Sequence, residues 1–279
     1  MQLGELLEKV YREIHDDIVD GVATSGSSTT IGDTAIANKY TENKFKNWIA
    51  FISRTTDGAA PQGQYSKITT FVTSTGLATT TDTLTAVVGA GDDYAFCKGT
   101  IPLFTLIKLC NDGIRALGRV HISDASLTTA ADTLRYTLPA AVKGIRPRRI
   151  EIRDSTNYEQ FEVPNWRIEP TAGETAETLV FKSQPVESEQ IVVYYMGVHP
   201  ALTAYTSAVN GHIDERLAVL ACTERALGWK VGLKGKKVDK DNWGLAKAML
   251  TEAKQLYPIE RPIIENKRLP ISIYNDTWC

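Results

Sequence analysis

The stretch "NWIAFISRT", residues 47–55, combines large apolar side chains with a polar end, a composition that favours a short β-strand. The turn signal "TDGAAPQG" follows it at residues 56–63. Three further β-prone runs stand nearby: "YSKITTFVT" (65–73), "DTLTAVV" (82–88) and "DYAFC" (93–97). Short runs at such intervals are typical of antiparallel strands in a small sandwich or barrel. The sequence therefore predicts a first β insertion over residues 21–100, whose many threonines fit strands with one solvated face.

A second β unit is predicted over residues 121–204. Its clearest strands are "RRIEIRD" (148–154) and "QIVVYYM" (190–196), in which β-branched residues stand beside charged or polar ones. The strands come in two runs separated by a single helical stretch, so alternating strand–helix–strand units with a parallel sheet are disfavoured.

Helical patterns flank both β regions, in residues 1–20, 101–120 and 205–258. In the first of them apolar residues recur at helical spacing: Leu3, Leu6, Leu7, Val10, Ile14 and Ile18. One helix cannot bury its own apolar face, so these stretches are predicted to pack together. The predicted fold class is α+β: a helical core of about four helices that carries two antiparallel β-sandwich or barrel-like insertions.

Residues 259–279 alternate apolar with charged residues, contain prolines and lack helix signals, so they are predicted to form an extended C-terminal arm. Such a segment can add to a sheet edge or groove of another chain. The residues predicted to dock onto a partner are Ile263, Ile264, Leu269, Ile271, Ile273, Tyr274 and Trp278.

The lysine-rich stretch "KVGLKGKKVDK", residues 230–240, resembles a phosphate loop only superficially. A Walker motif needs a glycine five residues before the second glycine and a hydroxyl after the lysine. Here Lys230 stands five residues before Gly235, and a second lysine follows Lys236. The stretch is predicted to be the tip of a helical hairpin, in which Gly232 and Gly235 end a helix and lysines complement its dipole.

No other residue pattern predicts catalytic, cofactor-binding or metal-binding chemistry. The four histidines show no ligand spacing, and the four cysteines lie far apart without a C-x-x-C pair. The doublets at residues 16–17 and 92–93 are interpreted as solvated turn or helix-end carboxylates. An enzyme is therefore not expected, and a hydrolase site assembled only in space is the least favoured class.

A net charge of -2 gives no global attraction to DNA or acidic membranes. The acidic amphipathic N-terminus does not resemble a signal peptide, and no apolar run reaches the ~20 residues of a membrane helix. A second basic cluster, Arg146, Arg148 and Arg149, has no adjacent aromatic residue that would favour nucleic-acid binding. It is interpreted as an ion-paired edge or a subunit interface.

Several stretches together resemble the head–tail connector proteins (adaptor or neck proteins) of tailed bacteriophages. They are the amphipathic helix from residue 2, "TTIGDTAIANKY" (29–40) with "GQYSKITTFVTSTGLATTTDTLTAVVGAGDDYAF" (63–96), "YTLPAAVKGIRPRRIEI" (136–152), and "IVVYYMGVHPALT" (191–203) before a helical pair. They follow one another along nearly the whole chain, but none is a diagnostic motif. The chain departs from small all-helical adaptors by its two β insertions.

This resemblance implies a virion protein, made in the host cytoplasm, that forms a ring of about 12 copies between the portal protein and a downstream tail or nozzle protein. It implies passage of the genome through the ring, no cofactor and no membrane. In such a ring Lys234, Lys236 and Lys237 would face the packaged DNA, in a non-specific contact, or an acidic portal rim. The alternatives are another phage tail or baseplate component, or a β-rich glycan-binding module, for which Trp48 and Trp166 are the candidate aromatic residues.

Overall fold

The computed structural model of the chain describes residues 1–14, 17–142, 144–153, 160–163, 165–169, 177–234 and 237–257. Four α-helices lie in these ranges: α1 (Leu3–Glu13), α2 (Leu103–Arg115), α3 (Glu215–Lys234) and α4 (Lys237–Leu256). The strands in the same ranges are β1 (Ile18–Val22), β2 (Ser25–Gly26), β3 (Thr30–Gly32), β4 (Ile49–Arg54), β5 (Tyr65–Val72), β6 (Leu77–Thr80), β7 (Asp93–Cys97), β8 (Arg119–Thr128), β9 (Arg135–Thr137), β10 (Arg149–Arg153), β11 (Gln160–Glu162), β12 (Trp166–Glu169), β13 (Thr178–Phe181) and β14 (Gln190–Val198).

The first seven strands form one antiparallel sheet in the order β1-β7-β4-β5-β6-β3-β2. The neighbouring strands β7 and β4, second and third in this order, align Ile49 with Cys97 and Phe51 with Ala95. In the part of the chain that the structure describes, no pairing joins the outer strands β1 and β2, so the sheet is open and not a closed barrel.

Strands β4 and β7 are buried on both faces, which explains the unbroken apolar run "IAFI" in β4. Side chains alternate between the faces of a strand. Ile49 and Phe51 therefore pack against the helices, whereas Ala50 and Ile52 face a second core, formed inside the seven-stranded unit. The sheet thus lies between two hydrophobic cores.

The predicted helical core with two β insertions is wrong. The described chain is rich in β-structure, in sheets of seven, four and three strands, and its helices form a layer that meets the large sheet through α1. The apolar faces of the helices were predicted correctly. Helical periodicity could not show that residues of β4 and β7 pack in the same core. A sheet covers part of the surface that the helices were expected to cover for one another.

Helix α3 lies at the centre of the helical layer, in contact with α1, α2 and α4. Helix α1 buries Leu3, Leu6, Leu7 and Val10, as its spacing predicted. Two predicted details differ: Ile18 belongs to strand β1, and Gly232 lies inside α3 instead of ending it. None of the helices within the described ranges has an apolar stretch that would cross a bilayer.

Strands β8 to β14 form two sheets that share a third core. One sheet has the order β11-β10-β14-β8 and the other β12-β13-β9. Ile150 and Val193 from the first sheet pack with Leu179 and Phe181 from the second. Strand β14 then leads through residues 199–214 into α3, which connects this unit to the helical layer.

Candidate functional site

The lysine-rich stretch joins α3 to α4. Lys234 is the last residue of α3 and Lys237 the first residue of α4. Lys236 lies outside the described residues, as does Gly235. The helices on either side of the junction pack against each other, as expected for a hairpin. Whether these lysines face DNA or a portal rim stays a prediction.

A groove of about 270 Å³ lies between α2, α3 and α4. Leu117, after the end of α2, and Leu250 of α4 contribute its apolar lining. Gly113 lets α2 approach α3 closely, because a β-carbon at this position would lie 2.6 Å from the carbonyl oxygen of Ala221. The missing side chain therefore sets the distance between these two helices at the groove.

The charged residues of the groove are mainly basic. Arg225, Lys247 and Lys254 line it, together with a single carboxylate, Glu224. Glu224 accepts a hydrogen bond from the indole nitrogen of Trp243 at 3.0 Å and lies 3.5 Å from Arg225. The Lys247 ammonium stands 3.4 Å from the centre of the Trp243 ring. The groove therefore combines apolar surface with an excess of positive charge.

The three arginines of the second basic cluster are exposed, at and before the start of β10. Arg149 forms an ion pair with the buried Glu151, which also accepts a hydrogen bond from the Tyr194 hydroxyl at 2.7 Å. Burial and this contact with Glu151 raise the pKa of Tyr194. Arg149 thus belongs to an ion-paired network within the chain, whereas a subunit contact of Arg146 and Arg148 stays a prediction.

The acidic doublet at residues 92–93 is not fully solvated, contrary to expectation. Asp92 is buried and accepts hydrogen bonds from the backbone nitrogens of Thr56 at 3.0 Å and Gly89 at 2.8 Å. Asp93 pairs with Arg54 at 2.9 Å. Asp92 therefore holds two loops together, a role that requires the tertiary contact with Thr56 and that the doublet alone could not reveal.

In the other doublet Asp17 is exposed and pairs with Lys98 at 2.9 Å, while Asp16 lies outside the described residues. The hydrogen bond from Lys98 lowers the pKa of Asp17. A further buried carboxylate, Asp33, was not singled out in the sequence. It accepts hydrogen bonds from the Tyr94 hydroxyl and the Ala35 backbone nitrogen, both at 2.7 Å. These contacts make Asp33 a structural residue at the start of a 3₁₀ turn.

His121 and His212 lie closer together than their sequence spacing indicates, whereas His199 has other partners. His199 is buried; its Nε2 accepts a hydrogen bond from the Asn210 backbone at 2.8 Å, and its Nδ1 lies 2.6 Å from the Pro200 carbonyl oxygen. The rings of His121 and His212 stand 5.1 Å apart. No group of three potential metal ligands occurs among the residues that the structure describes.

Cys97, Cys110 and Cys222 are buried and unpaired by disulfides. The Cys222 thiol donates to the Cys110 carbonyl oxygen at 3.6 Å, across the contact between α2 and α3. Burial raises the pKa of Cys222, and the neighbouring Cys110 adds to this effect. A thiol that is buried and protonated is a poor nucleophile, so this pair packs two helices and does not form a reactive site.

The groove combines apolar surface with positive charge, and sequence reasoning did not find it. Its lining comes from three separate helices, and only the lysine-rich stretch near α4 gave a signal in this region. The residues of the predicted arm all lie outside the described ranges. A search of protein-family models finds no match to this chain, and a comparison with curated proteins finds no significant relative.

Proposed function

We propose that this chain is a structural virion protein of a tailed bacteriophage, a head–tail connector that forms a ring between the portal and the tail. The genome would pass through the ring. The proposal combines the resemblance of the sequence to connector proteins with an exposed apolar surface on α4. No catalytic residue, cofactor or metal is part of it.

The observation that carries the proposal is the apolar outer face of α4. Leu245 is 61% exposed and Leu256 is 64% exposed. They are eleven residues apart, about three helical turns, so they lie on the same side of the helix. The two leucines offer separate apolar contact points, about 16 Å apart along the helix axis, to another protein. In the connector proposal, the protein that contacts this surface of α4 is a neighbouring copy of the chain.

A closed ring needs two different surfaces that complement each other, because each copy contacts its neighbours head to tail. The apolar face of α4 is one such surface. Arg146 and Arg148 are exposed on the second β unit and offer a polar surface elsewhere on the chain. The two surfaces lie on different parts of the chain, as head-to-tail contacts require.

The glycan-binding alternative is less well supported than the connector. Stacking on a sugar requires an exposed aromatic ring, but Trp48 is only 7% exposed and contacts Phe45 inside the second core. Trp166 is partly buried against the third core. Neither tryptophan of the β units offers an open ring face, so a sugar would find little of the surface it needs.

The connector proposal is tested by mixing the purified chain with its portal protein. Electron microscopy and native mass spectrometry should show a ring of about 12 copies on the portal. The double variant Leu245→Ser with Leu256→Ser should abolish the ring, because it removes the apolar face, and should keep the helical circular dichroism signal. A chain that remains monomeric in the presence of portal would contradict the proposal, and rings in a tail-tube stack would favour the other virion components.

In such a ring the lysine-rich junction would be repeated around the central passage. Changing Lys234, Lys236 and Lys237 to glutamate is then expected to leave ring assembly intact and to lower the fraction of particles that retain DNA by about tenfold or more. The same charge change at Lys39, Lys44 and Lys46, which are exposed on the first β unit, is the matched control. Equal DNA retention in both triple variants would make the junction an ordinary turn.

A further inference from the structure

We infer that the groove between α2, α3 and α4 is the docking site of residues 259–265 of the same chain. This stretch follows α4 almost directly and is apolar and acidic. The inference concerns the isolated chain and holds whether or not the chain forms a ring.

The chemistry of the groove selects an apolar occupant with carboxylates. Leu117 and Leu250 offer apolar surface, and three cations stand against one carboxylate, a local charge of +2. Glu224 is already engaged by Trp243 and Arg225. In the described part of the chain, neither Lys247 nor Lys254 has an ion-pair partner.

The sequence directly after α4 has the complementary chemistry. Residues 259–265 read "IERPIIE", with three isoleucines, two glutamates and one arginine. The isoleucines can cover Leu117 and Leu250, and Glu260 and Glu265 can pair with Lys247 and Lys254. Partly buried ion pairs of this kind contribute more to stability than fully exposed ones, because salt screens them less.

The distances allow the segment to reach the groove of its own chain. Lys254 lies three residues before Tyr257, and Lys247 lies ten residues before it, about 15 Å along the helix axis. Seven extended residues span about 23 Å, enough for a reversal and a run along the groove. A tether this short gives an effective concentration in the millimolar range, which favours the chain's own segment over that of a second copy.

Docking of this stretch would give the C-terminal arm a fixed origin beside the groove. The remaining residues, 266–279, could then extend about 46 Å. They include Leu269, Tyr274 and Trp278, three of the residues predicted to contact a partner. Ile263 and Ile264, which were assigned to the same partner contact, would instead hold the arm to its own chain.

Disulfide trapping in the full-length chain tests the inference. Thr251 lines the groove, and Glu252 is the next residue of α4, exposed and turned away from the groove. In a Cys279→Ser background, Thr251→Cys with Ile263→Cys should cross-link within one chain about tenfold faster than Glu252→Cys with Ile263→Cys. The three remaining native cysteines are buried and should not compete.

Charge reversal provides the second arm of the test. Adding Lys247→Glu and Lys254→Glu should slow the Thr251–Ile263 cross-link by about fivefold or more and leave the Glu252–Ile263 rate unchanged. Equal rates for the two cysteine pairs would show that the segment does not occupy the groove. Cross-linked dimers would show that the segment of a second copy occupies the groove. An unchanged cross-linking rate after charge reversal would show that charge complementarity does not hold the segment there. Each of these three results would overturn the inference.

Discussion

Replacing Phe45 with alanine is expected to lower the free energy of unfolding by about 3–5 kcal/mol. Phe45 is fully buried, and its ring stands 4.8–5.1 Å from the rings of Tyr40, Trp48, Phe71 and Phe96. Removing it leaves a cavity at the centre of the second core and breaks four aromatic contacts. Urea denaturation followed by tryptophan fluorescence should report the loss directly, because Trp48 borders the cavity.

The loss of stability in Phe45→Ala should be larger than is usual for a residue in an irregular segment, because of where Phe45 lies. It lies outside any strand, in the turn region between β3 and β4, so its ring holds this loop against the sheet. The matched control is Lys46→Ala, at an exposed neighbouring residue, where a change within about 0.5 kcal/mol is expected. If both variants unfold at the same urea concentration, the aromatic cluster is not the centre of this core.

Replacing Gly113 with valine is expected to lower the free energy of unfolding by about 3 kcal/mol. A β-carbon at this position would lie 2.6 Å from the Ala221 carbonyl oxygen and 3.1 Å from the Cys222 α-carbon. Both are backbone atoms of α3, so the clash cannot be relieved by rotating a side chain. The helices α2 and α3 must move apart, and the core around Cys110 loses its packing.

Gly244→Val separates this clash from the general effect of valine in a helix. Gly244 also lies within a helix, but no atom stands within 4 Å of a β-carbon added there. Because valine has a higher helix propensity than glycine, Gly244→Val should raise the stability slightly, by about 0.3–0.5 kcal/mol. Thermal and urea unfolding of both variants should therefore give changes of opposite sign. A Gly113→Val variant as stable as the unchanged chain would mean that α2 and α3 are not in close contact.

Local patterns predicted three of the seven strands in the first β region. The runs "NWIAFISRT", "YSKITTFVT" and "DYAFC" contain β4, β5 and β7. The run "DTLTAVV" forms no strand; its Leu84 and Val88 are buried, and their backbone nitrogens bond to the carbonyl oxygens of Ser28 and Ser27. Apolar alternation there reflects two side chains that fill the core from an irregular segment. Strands β1, β2, β3 and β6 were missed; β6 is only four residues long and follows a turn signal.

The candidate groove could not be predicted, because it forms where α2 packs against the α3–α4 hairpin, about a hundred residues later in the chain. Helical periodicity did identify apolar faces on these helices. It could not show that Gly113 brings α2 close to α3, or that Arg225 and two lysines of α4 converge beside Leu117 and Leu250. The same limit applies to Glu151, whose burial depends on Arg149 and on Tyr194 from the neighbouring strand.

The sequence by itself determined the positions of the four helices and of several strands, because the apolar spacing along an element reports which of its faces is buried. The tertiary structure alone decided that "NWIAFISRT" lies in a sheet between two cores. Its residues are apolar on both sides, and only the contacts of Phe51 with α1 and of Ile52 with the second core show what covers each face. Such contacts join residues far apart in the chain, so the spacing of neighbouring residues carries no information about them.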